Sequence, residues 1–308
     1  MRRPLRLFTS GAAVSLLAAC TATGYSAQPV SPGPHLTVTA PLGTMAPLPE
    51  IPPDEPTPTF AGLADRERQA TTQAAAAGAD ITAAVLDRNT GQLVTNGNTK
   101  PIAIASVVKL FIADDLLLQV AQGRTTLTPD DHKLLNVMLR SSDDSAAEVF
   151  WNRSGGSVIV DRIVKRYGLT STRRPGNGRW FNTISTAPDL VRYYDMLLSG
   201  AGGLPRAQVD LMLSYLSAST PTAPDGMVPG GIYPQRFGIP EGLFAEPVAV
   251  KQGWMCCIGS DWMHLSTGVI GPDRRFIMVI GSMQATGDDA ARKTITDAVK
   301  TMFPAGRI

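Results

Sequence analysis

Ala105-Ser-Val-Val-Lys-Leu-Phe-Ile-Ala-Asp-Asp115 is the stretch of sequence that decides the fold. It contains Ser106-Val-Val-Lys109, the only Ser-x-x-Lys in the chain. Ser142-Asp143-Asp144 and then Lys251-Gln252-Gly253 follow it. A serine with a lysine one helical turn later, then Ser-Asp-polar, then Lys-x-Gly, suits a nucleophile, an acid/base group and an anion-binding strand. The order therefore predicts one site built from three distant segments.

Ser106 is predicted at the start of a buried helix, because Val107, Leu110 and Phe111 have helical spacing. Lys109 would lie on the same helical face, within reach of the serine hydroxyl. A lysine partly desolvated by these apolar neighbours loses its proton near neutral pH and can activate a serine. The alternative is a helix-capping serine followed by a surface lysine.

We expect a helix with Pro129 in its first turn, directly after Thr128, and with its end near residue 140. Ser142 to Asp144 follow this helix. The Ser142 hydroxyl can relay a proton to a leaving group, and the acidic side chains can hold the lysines. The alternative is that these residues only cap a helix predicted over 145–153.

Lys251-Gln252-Gly253 opens a predicted strand. The lysine can hold a substrate carboxylate or tune Ser142, and the glycine allows a substrate backbone to approach. The backbone N–H of Trp254 can pair with that of Ser106 as an oxyanion hole. The alternative is a strand edge with an exposed lysine.

Over about residues 60–305 the chain resembles class A β-lactamases and penicillin-binding protein domains, most of all the β-lactamase-like lipoproteins of mycobacteria. Besides the opening stretch, the resemblance rests on Arg192-Tyr-Tyr-Asp-Met-Leu-Leu198 and Val250-Lys-Gln-Gly-Trp-Met-Cys-Cys-Ile-Gly-Ser260. It implies an α/β (α+β) fold: five antiparallel strands flanked by terminal helices, with an inserted all-helical subdomain. It further implies that Ser106 is the nucleophile and that Lys109 is its partner. Ser142 would be the proton relay, Lys251 and Gly253 would form the third motif, and Trp254 would donate its backbone N–H to the oxyanion.

Three departures from the family pattern bear on function. Asp144 replaces an asparagine amide by a carboxylate, which would stabilise protonated Lys109. Gln252 replaces the small hydroxyl residue that would meet the substrate carboxylate, and we expect its longer amide side chain at the substrate site. Class A enzymes carry a water-activating glutamate after the helical subdomain, but residues 168–188 contain no acidic residue, and Asp189 is the next one. We therefore expect an acyl-enzyme formed from a β-lactam or a D-Ala-type peptide to persist.

Two other function classes remain open. One is a catalytically inactive lipoprotein that binds a peptidoglycan-like or other envelope ligand, and the other is a structural module of the envelope. A shared fold does not by itself establish activity.

Residues 1–19 are predicted to be a signal peptide, because Arg2, Arg3 and Arg6 precede a short apolar run. Leu17-Ala-Ala-Cys20 resembles a bacterial lipobox, which implies an acylated Cys20 and attachment to the extracytoplasmic face of the cell membrane. An ordinary secretory signal with a chance cysteine is the alternative. Residues 20–59, with ten of the 24 prolines, predict a tether to a domain over 60–308.

The remaining composition limits partners and cofactors. A formal charge of +2 gives no indication of nucleic acid binding. The three histidines lack ligand spacing, so we expect no metal, and no cofactor is implied. Cys256 and Cys257 are either two small buried residues or a vicinal disulfide. We expect a monomer.

Strand-like runs lie at both ends of the predicted domain and helices in its middle. Strands are predicted over 81–86, 92–95, 248–255, 262–270 and 274–281. Helices are predicted over 61–77, 106–122, 129–140, 145–153, 156–167, 187–199, 205–217 and 288–303. This order predicts one antiparallel sheet assembled from both ends, with a helical subdomain over about 106–220.

Overall fold

A computed structural model describes residues 59–308 of the chain. The predicted signal peptide, Cys20 and nearly all of the predicted tether lie outside these residues. In chain order the strands are β1 (Ala79–Asp87), β2 (Leu93–Thr95), β3 (Ile102–Ala103), β4 (Ile184–Ser185), β5 (Thr222–Pro224), β6 (Ile232–Pro234), β7 (Val248–Ile258), β8 (Asp261–Ile270) and β9 (Phe276–Gln284). The helices are α1 (Leu63–Ala76), α2 (Lys109–Ala121), α3 (Pro129–Arg140), α4 (Asp144–Arg153), α5 (Val158–Tyr167), α6 (Ala187–Ser199), α7 (Arg206–Ser217), α8 (Ile239–Gly242) and α9 (Asp288–Met302).

The main sheet has five antiparallel strands in the order β2-β1-β9-β8-β7. β1 lies between its sequence neighbour β2 and the distant β9, with Ala79 opposite Gln284 and Asp87 opposite Phe276. The predicted five-stranded sheet assembled from both ends of the domain is therefore confirmed.

Two hydrophobic cores lie on the two faces of this sheet. One joins α1 and α9 to the sheet through side chains such as Leu63, Ile280 and Val299. The other joins the helices between β3 and β7 to the opposite face, through side chains such as Phe111 and Leu265. None of the helices in residues 59–308 is both long and apolar enough to cross a membrane.

Local sequence signals account for the helix starts around the site. Thr128 Oγ1 accepts a hydrogen bond from Asp131 N, and the Asp131 carboxylate accepts one from Thr128 N. Pro129 lies in the first turn of α3. Asp143 caps α4 by accepting a hydrogen bond from Ala146 N. The capping interpretation is therefore correct for Asp143, and it leaves Ser142 and Asp144 available for other contacts.

Three small features escaped prediction. The β3–β4 pair and the β5–β6 hairpin each have strands of only two or three residues, and α8 has four residues. Such segments are too short to show a hydrophobic period. Cys256 and Cys257 are both exposed in the β7–β8 hairpin, with their Sγ atoms adjacent as in a vicinal disulfide, and the oxidised state of the pair stays a prediction. The interpretation as two buried residues was wrong, because this end of the hairpin extends beyond the core.

Candidate active site

Ser106 lies where the helical part meets the sheet. A short 3₁₀ helix, Ala105–Val108, follows β3 and continues directly into α2. Val107, Val108 and Leu110 are completely buried, and they fix this turn in the core between the two parts. Ser106 itself is 8% exposed, at the floor of a cleft. Ser106 therefore lies at the start of a buried helix, as predicted.

Lys109 is fully buried and is surrounded by hydrogen-bond acceptors. Its Nζ lies 2.9 Å from Ser106 Oγ and 2.6 Å from Asp144 Oδ1. It also lies 2.6 Å from the carbonyl oxygen of Ser142 and 3.2 Å from Ser142 Oγ. The predicted alternative of a surface lysine is wrong, because the helix turns this side chain into the junction of the two parts.

Ser142 connects the two lysines of the site. Lys251 Nζ donates to Ser142 Oγ at 2.8 Å, and Lys109 Nζ donates to the same oxygen. Lys251 is 1% exposed, so the predicted alternative of an exposed strand-edge lysine is also wrong. Ser142 has a φ of 55°, which places this non-glycine residue in the sparsely populated left-handed region. A continuous hydrogen-bonded path therefore runs from Ser106 through Lys109 and Ser142 to Lys251.

Burial governs the charge of both amines. The pKa of Lys109 is lowered from its usual value because desolvation outweighs the opposing influence of the Asp144 carboxylate. The pKa of Lys251 is lowered further, first by desolvation and then by the nearby charge of Lys109. A neutral amine, which can accept a proton from a hydroxyl, is therefore accessible at a lower pH than for a solvated lysine.

Strand β7 approaches the serine through its glycine. A Cβ on Gly253 would lie 2.5 Å from the carbonyl oxygen of Ile104 and 3.3 Å from Ser106 N. Because Gly253 has no side chain, the backbone that carries Ser106 can lie directly against β7. A substrate backbone could approach for the same reason. The oxyanion pair formed by the N–H groups of Ser106 and Trp254 stays a prediction.

Gln252 and Trp254 have protein partners of their own. The Gln252 amide nitrogen donates to Phe237 O at 3.3 Å and to Ser266 Oγ at 3.4 Å, and the residue is 2% exposed. The Trp254 ring stacks on Tyr233 with centroids 4.6 Å apart. The donor nitrogen of Gln252 is therefore already paired inside the protein. A role for Gln252 in a ligand site stays a prediction.

The loop over residues 168–188 covers the lysine with an aromatic ring. Trp180 is 4% exposed, and its ring centroid lies 4.8 Å from Lys109 Nζ. The indole Nε1 donates to Glu148 Oε2 at 3.0 Å. Asp189 is used structurally, because its carboxylate accepts the backbone N–H groups of Thr170, Ser171 and Thr172. The contacts of Trp180 with Lys109 and Glu148 could not be predicted from the sequence, because Trp180 is distant in the chain from Lys109 and 32 residues from Glu148.

The cleft over Ser106 is small and mostly apolar, with a volume of about 180 Å³. Its walls come from the serine turn, α4, the 168–188 loop, the β5–β6 hairpin and β7. They are formed by Ala105, Ser106, Asp144, Trp180, Phe181, Gly226, Met227, Trp254, Met255 and Cys256. A larger cavity of about 500 Å³, between β3 and β9, does not include the serine.

The tip of the β5–β6 hairpin closes one side of this cleft. A Cβ on Gly226 would lie 2.2 Å from Asp144 Oδ2, so the backbone here rests on that carboxylate. Cys256 N donates to Met227 Sδ at 3.2 Å. Sequence reasoning missed this wall, because the Pro- and Gly-rich segment has no periodic pattern. Among residues 59–308, no three His, Cys, Asp or Glu side chains are grouped to hold a metal ion.

The chain is similar to known proteins both in sequence and in fold. No protein-family model matches it. It is 58% identical over 318 residues to the lipoprotein LppW of Mycobacterium bovis and Mycobacterium tuberculosis, and the alignment covers 99% of each chain.

Two solved structures share its architecture. A β-lactamase from Chitinophaga pinensis aligns with a TM-score of 0.62 and 16% identity, over 78% of this chain and 99% of that one. A class A β-lactamase from Bacteroides cellulosilyticus aligns with a TM-score of 0.62 and 14% identity, over 79% of this chain and 97% of that one. At these identities the likeness shows the fold alone, and the predicted β-lactamase-like fold is confirmed.

Proposed function

Because the chain belongs to the LppW family of lipoproteins and has a β-lactamase-like fold, we propose that it is a lipid-anchored envelope protein with serine acyl-transfer activity. In this proposal Ser106 takes the acyl group of a β-lactam or a D-Ala-type peptide, and the resulting acyl-enzyme is hydrolysed slowly or not at all.

The observation that carries the proposal is the buried path from Ser106 to Lys251 through Lys109 and Ser142. Neutral Lys109 takes the proton of the Ser106 hydroxyl while Oγ attacks the carbonyl carbon of the acyl donor. Ser142 passes a proton to the leaving nitrogen as the amide bond breaks. The backbone N–H groups of Ser106 and Trp254 stabilise the oxyanion.

We expect deacylation to be slow because the Trp180 ring covers Lys109. Hydrolysis of the ester on Ser106 needs a positioned water and a base. The Trp180 ring occupies the space beside Lys109, and the carboxylate of Asp189 is already bonded to three backbone N–H groups. These contacts support an acyl-enzyme that accumulates.

Intact-mass spectrometry of the protein after incubation with penicillins and cephalosporins tests the proposal. We expect a stable mass increment of one acyl group, which is absent in Ser106→Ala. No increment on the parent protein, together with no hydrolysis of the drugs, would overturn the acyl-transfer proposal.

A binding protein without catalysis is the second candidate, and the Lys109–Asp144 ion pair favours it. The carboxylate stabilises the protonated amine, which cannot act as a base. In that case a peptidoglycan-like ligand would raise the melting temperature of both the parent and Ser106→Ala, with no covalent adduct on either.

Attachment to the extracytoplasmic face of the membrane through Cys20 is the remaining part of the proposal. We expect Cys20→Ser to move the protein from the membrane fraction to the soluble fraction, because the acylated thiol is removed. The circular dichroism spectrum of the released protein should match that of the parent domain. Retention of the variant in the membrane fraction would contradict acyl anchoring.

A further inference from the structure

Among residues 59–308, none of the side chains that form the walls of the cleft over Ser106 is a lysine or an arginine. In this part of the chain, Asp144 carries the only carboxyl, amino, guanidinium or imidazole group in the walls. The Asp144 side chain is 44% exposed, so it presents negative charge to anything that enters. The other walls are the rings of Trp180, Phe181 and Trp254 together with two methionines.

The two amines beneath the cleft are not open to a ligand anion. Lys109 is fully buried, and four acceptor atoms already surround its Nζ. Lys251 is 1% exposed and donates to Ser142 Oγ and to the carbonyl oxygen of Gln252. A ligand carboxylate would have to displace these contacts to reach either amine.

Three arginines next to the segments that form the walls, or in contact with them, are also engaged or lie outside the walls. Arg236 donates to the backbone and hydroxyl oxygens of Ser219. Arg292 is paired with the carboxylates of Asp288 and Asp289. Arg179 precedes Trp180 but is exposed and does not line the cleft.

Apolar character continues from the walls to the rim. Met227 is 38% exposed where it contacts Cys256, and its neighbour Val228 is 54% exposed. An apolar group of an entering ligand therefore meets apolar side chains both outside and inside the cleft.

We propose that Ser106 takes its acyl group from an uncharged, apolar ester or amide in preference to a donor that carries a carboxylate; this rests on the proposed acyl-transfer function. For an ester donor, the bond from Ser106 Oγ to the carbonyl carbon forms, and the bond from that carbon to the leaving alkoxide breaks. The serine proton passes through Lys109 and Ser142 to the alkoxide, which leaves as an alcohol. A carboxylate would be desolvated beside Asp144 with no cation to pair with it.

A matched pair of compounds tests this preference: benzylpenicillin and its methyl ester, which differ only in the masked carboxylate. We expect the methyl ester to acylate Ser106 about tenfold faster or more, because a like-charge contact is removed. The readout is the rate of mass increment on the intact protein. p-Nitrophenyl butyrate serves as an unrelated neutral donor, and we expect Ser106-dependent release of nitrophenol.

Two variants keep the test specific. Asp144→Asn should reduce the preference for the methyl ester, while Ser106→Ala should remove every adduct.

Equal or faster acylation by the free acid would overturn this inference and leave the proposed function standing. Loss of that faster acid reaction in Arg179→Ala would assign the carboxylate to Arg179. No Ser106-dependent adduct with any of the three compounds would overturn the proposed function itself.

Discussion

At the scale of single residues, Lys109 is held between two opposing influences. Complete burial disfavours its charged form, whereas the ion pair with Asp144 at 2.6 Å favours it. Burial is the larger influence, and the pKa of Lys109 is lowered from its usual value. Burial therefore makes the amine less basic than that of a solvated lysine, and the Asp144 carboxylate limits this decrease.

Replacing Asp144 by asparagine should lower the pKa of Lys109 further. We expect the pH midpoint of Ser106 acylation to fall, because a neutral amide no longer stabilises the ammonium form of Lys109. The pH dependence of the acylation rate measures this shift.

Asp143→Asn is the matched control for that change. Asp143 also raises the pKa of Lys109, but its influence is smaller than that of Asp144. Asparagine still caps α4, so the helix start is preserved. Equal shifts in both variants would show that the direct Lys109–Asp144 contact has no special weight.

At the scale of elements, the 168–188 loop determines what reaches the serine. Trp180→Ala should shorten the lifetime of the acyl-enzyme, because removing the ring lets water approach Lys109 and Ser106. We expect deacylation to become at least several-fold faster, as measured by the decay of the acylated mass after excess donor is removed.

Trp180→Phe separates the covering role of the ring from its hydrogen bond. This variant keeps an aromatic side chain beside Lys109 but loses the N–H donated to Glu148. We expect its acyl-enzyme to remain long-lived. If the phenylalanine variant deacylates as fast as the alanine variant, the hydrogen bond, and not exclusion of water, controls the lifetime.

The contact between β7 and the serine turn should tolerate no added methyl group at Gly253. In Gly253→Ala the new Cβ would meet the carbonyl oxygen of Ile104 at 2.5 Å, so strand or turn must shift. We expect a loss of about 1–3 kcal/mol in the free energy of unfolding, together with slower acylation. Urea denaturation and mass spectrometry measure the two effects.

Gly176→Ala is the control, since nothing lies within 4 Å of the added Cβ at this loop position. It should leave both the unfolding midpoint and the acylation rate unchanged. Unchanged behaviour of Gly253→Ala would contradict the close approach of β7 to Ser106.

Long elements with clear end signals were predictable from the sequence, and contacts between distant segments were not. The helix predicted over 187–199 matches α6, because Thr186 caps its start and Gly200 ends it with a left-handed conformation. The contact of Trp180 with Lys109 depends on how the loop folds over α2, which no local pattern encodes. The family resemblance identified Lys109 and Ser142, but only the fold shows that Glu148 reaches the indole.

At the scale of the whole molecule, a buried histidine makes stability depend on pH. His264 is completely buried, and its Nε2 lies 2.7 Å from the Tyr233 hydroxyl oxygen. Desolvation first, and then the charge of Arg292, lower its pKa from 6.5 to about 3. Because the folded state holds this histidine neutral, its stabilising contribution is complete above pH 6.5 and is lost as the pH falls toward 3.

We expect the free energy of unfolding to fall with decreasing pH below 6.5, with His264 contributing up to about 1.4 kcal/mol for each pH unit. His264→Gln cannot take up that proton and retains a polar group near Tyr233, so its stability should depend less on pH. Urea denaturation at pH 7 and pH 4 measures the difference. Parallel losses in the parent and the variant would assign the acid sensitivity to other groups.

The pairing of β1 with β9 has a consequence for the order in which this protein can form. A chain emerges from the ribosome with its N-terminus first, yet residue 79 finds its partner only at residue 284. Until then β1 has just the three-residue β2 beside it, and one edge of an apolar strand stays open. The sheet is therefore completed only after nearly the whole chain has been made, and β1 lacks its main partner throughout most of synthesis.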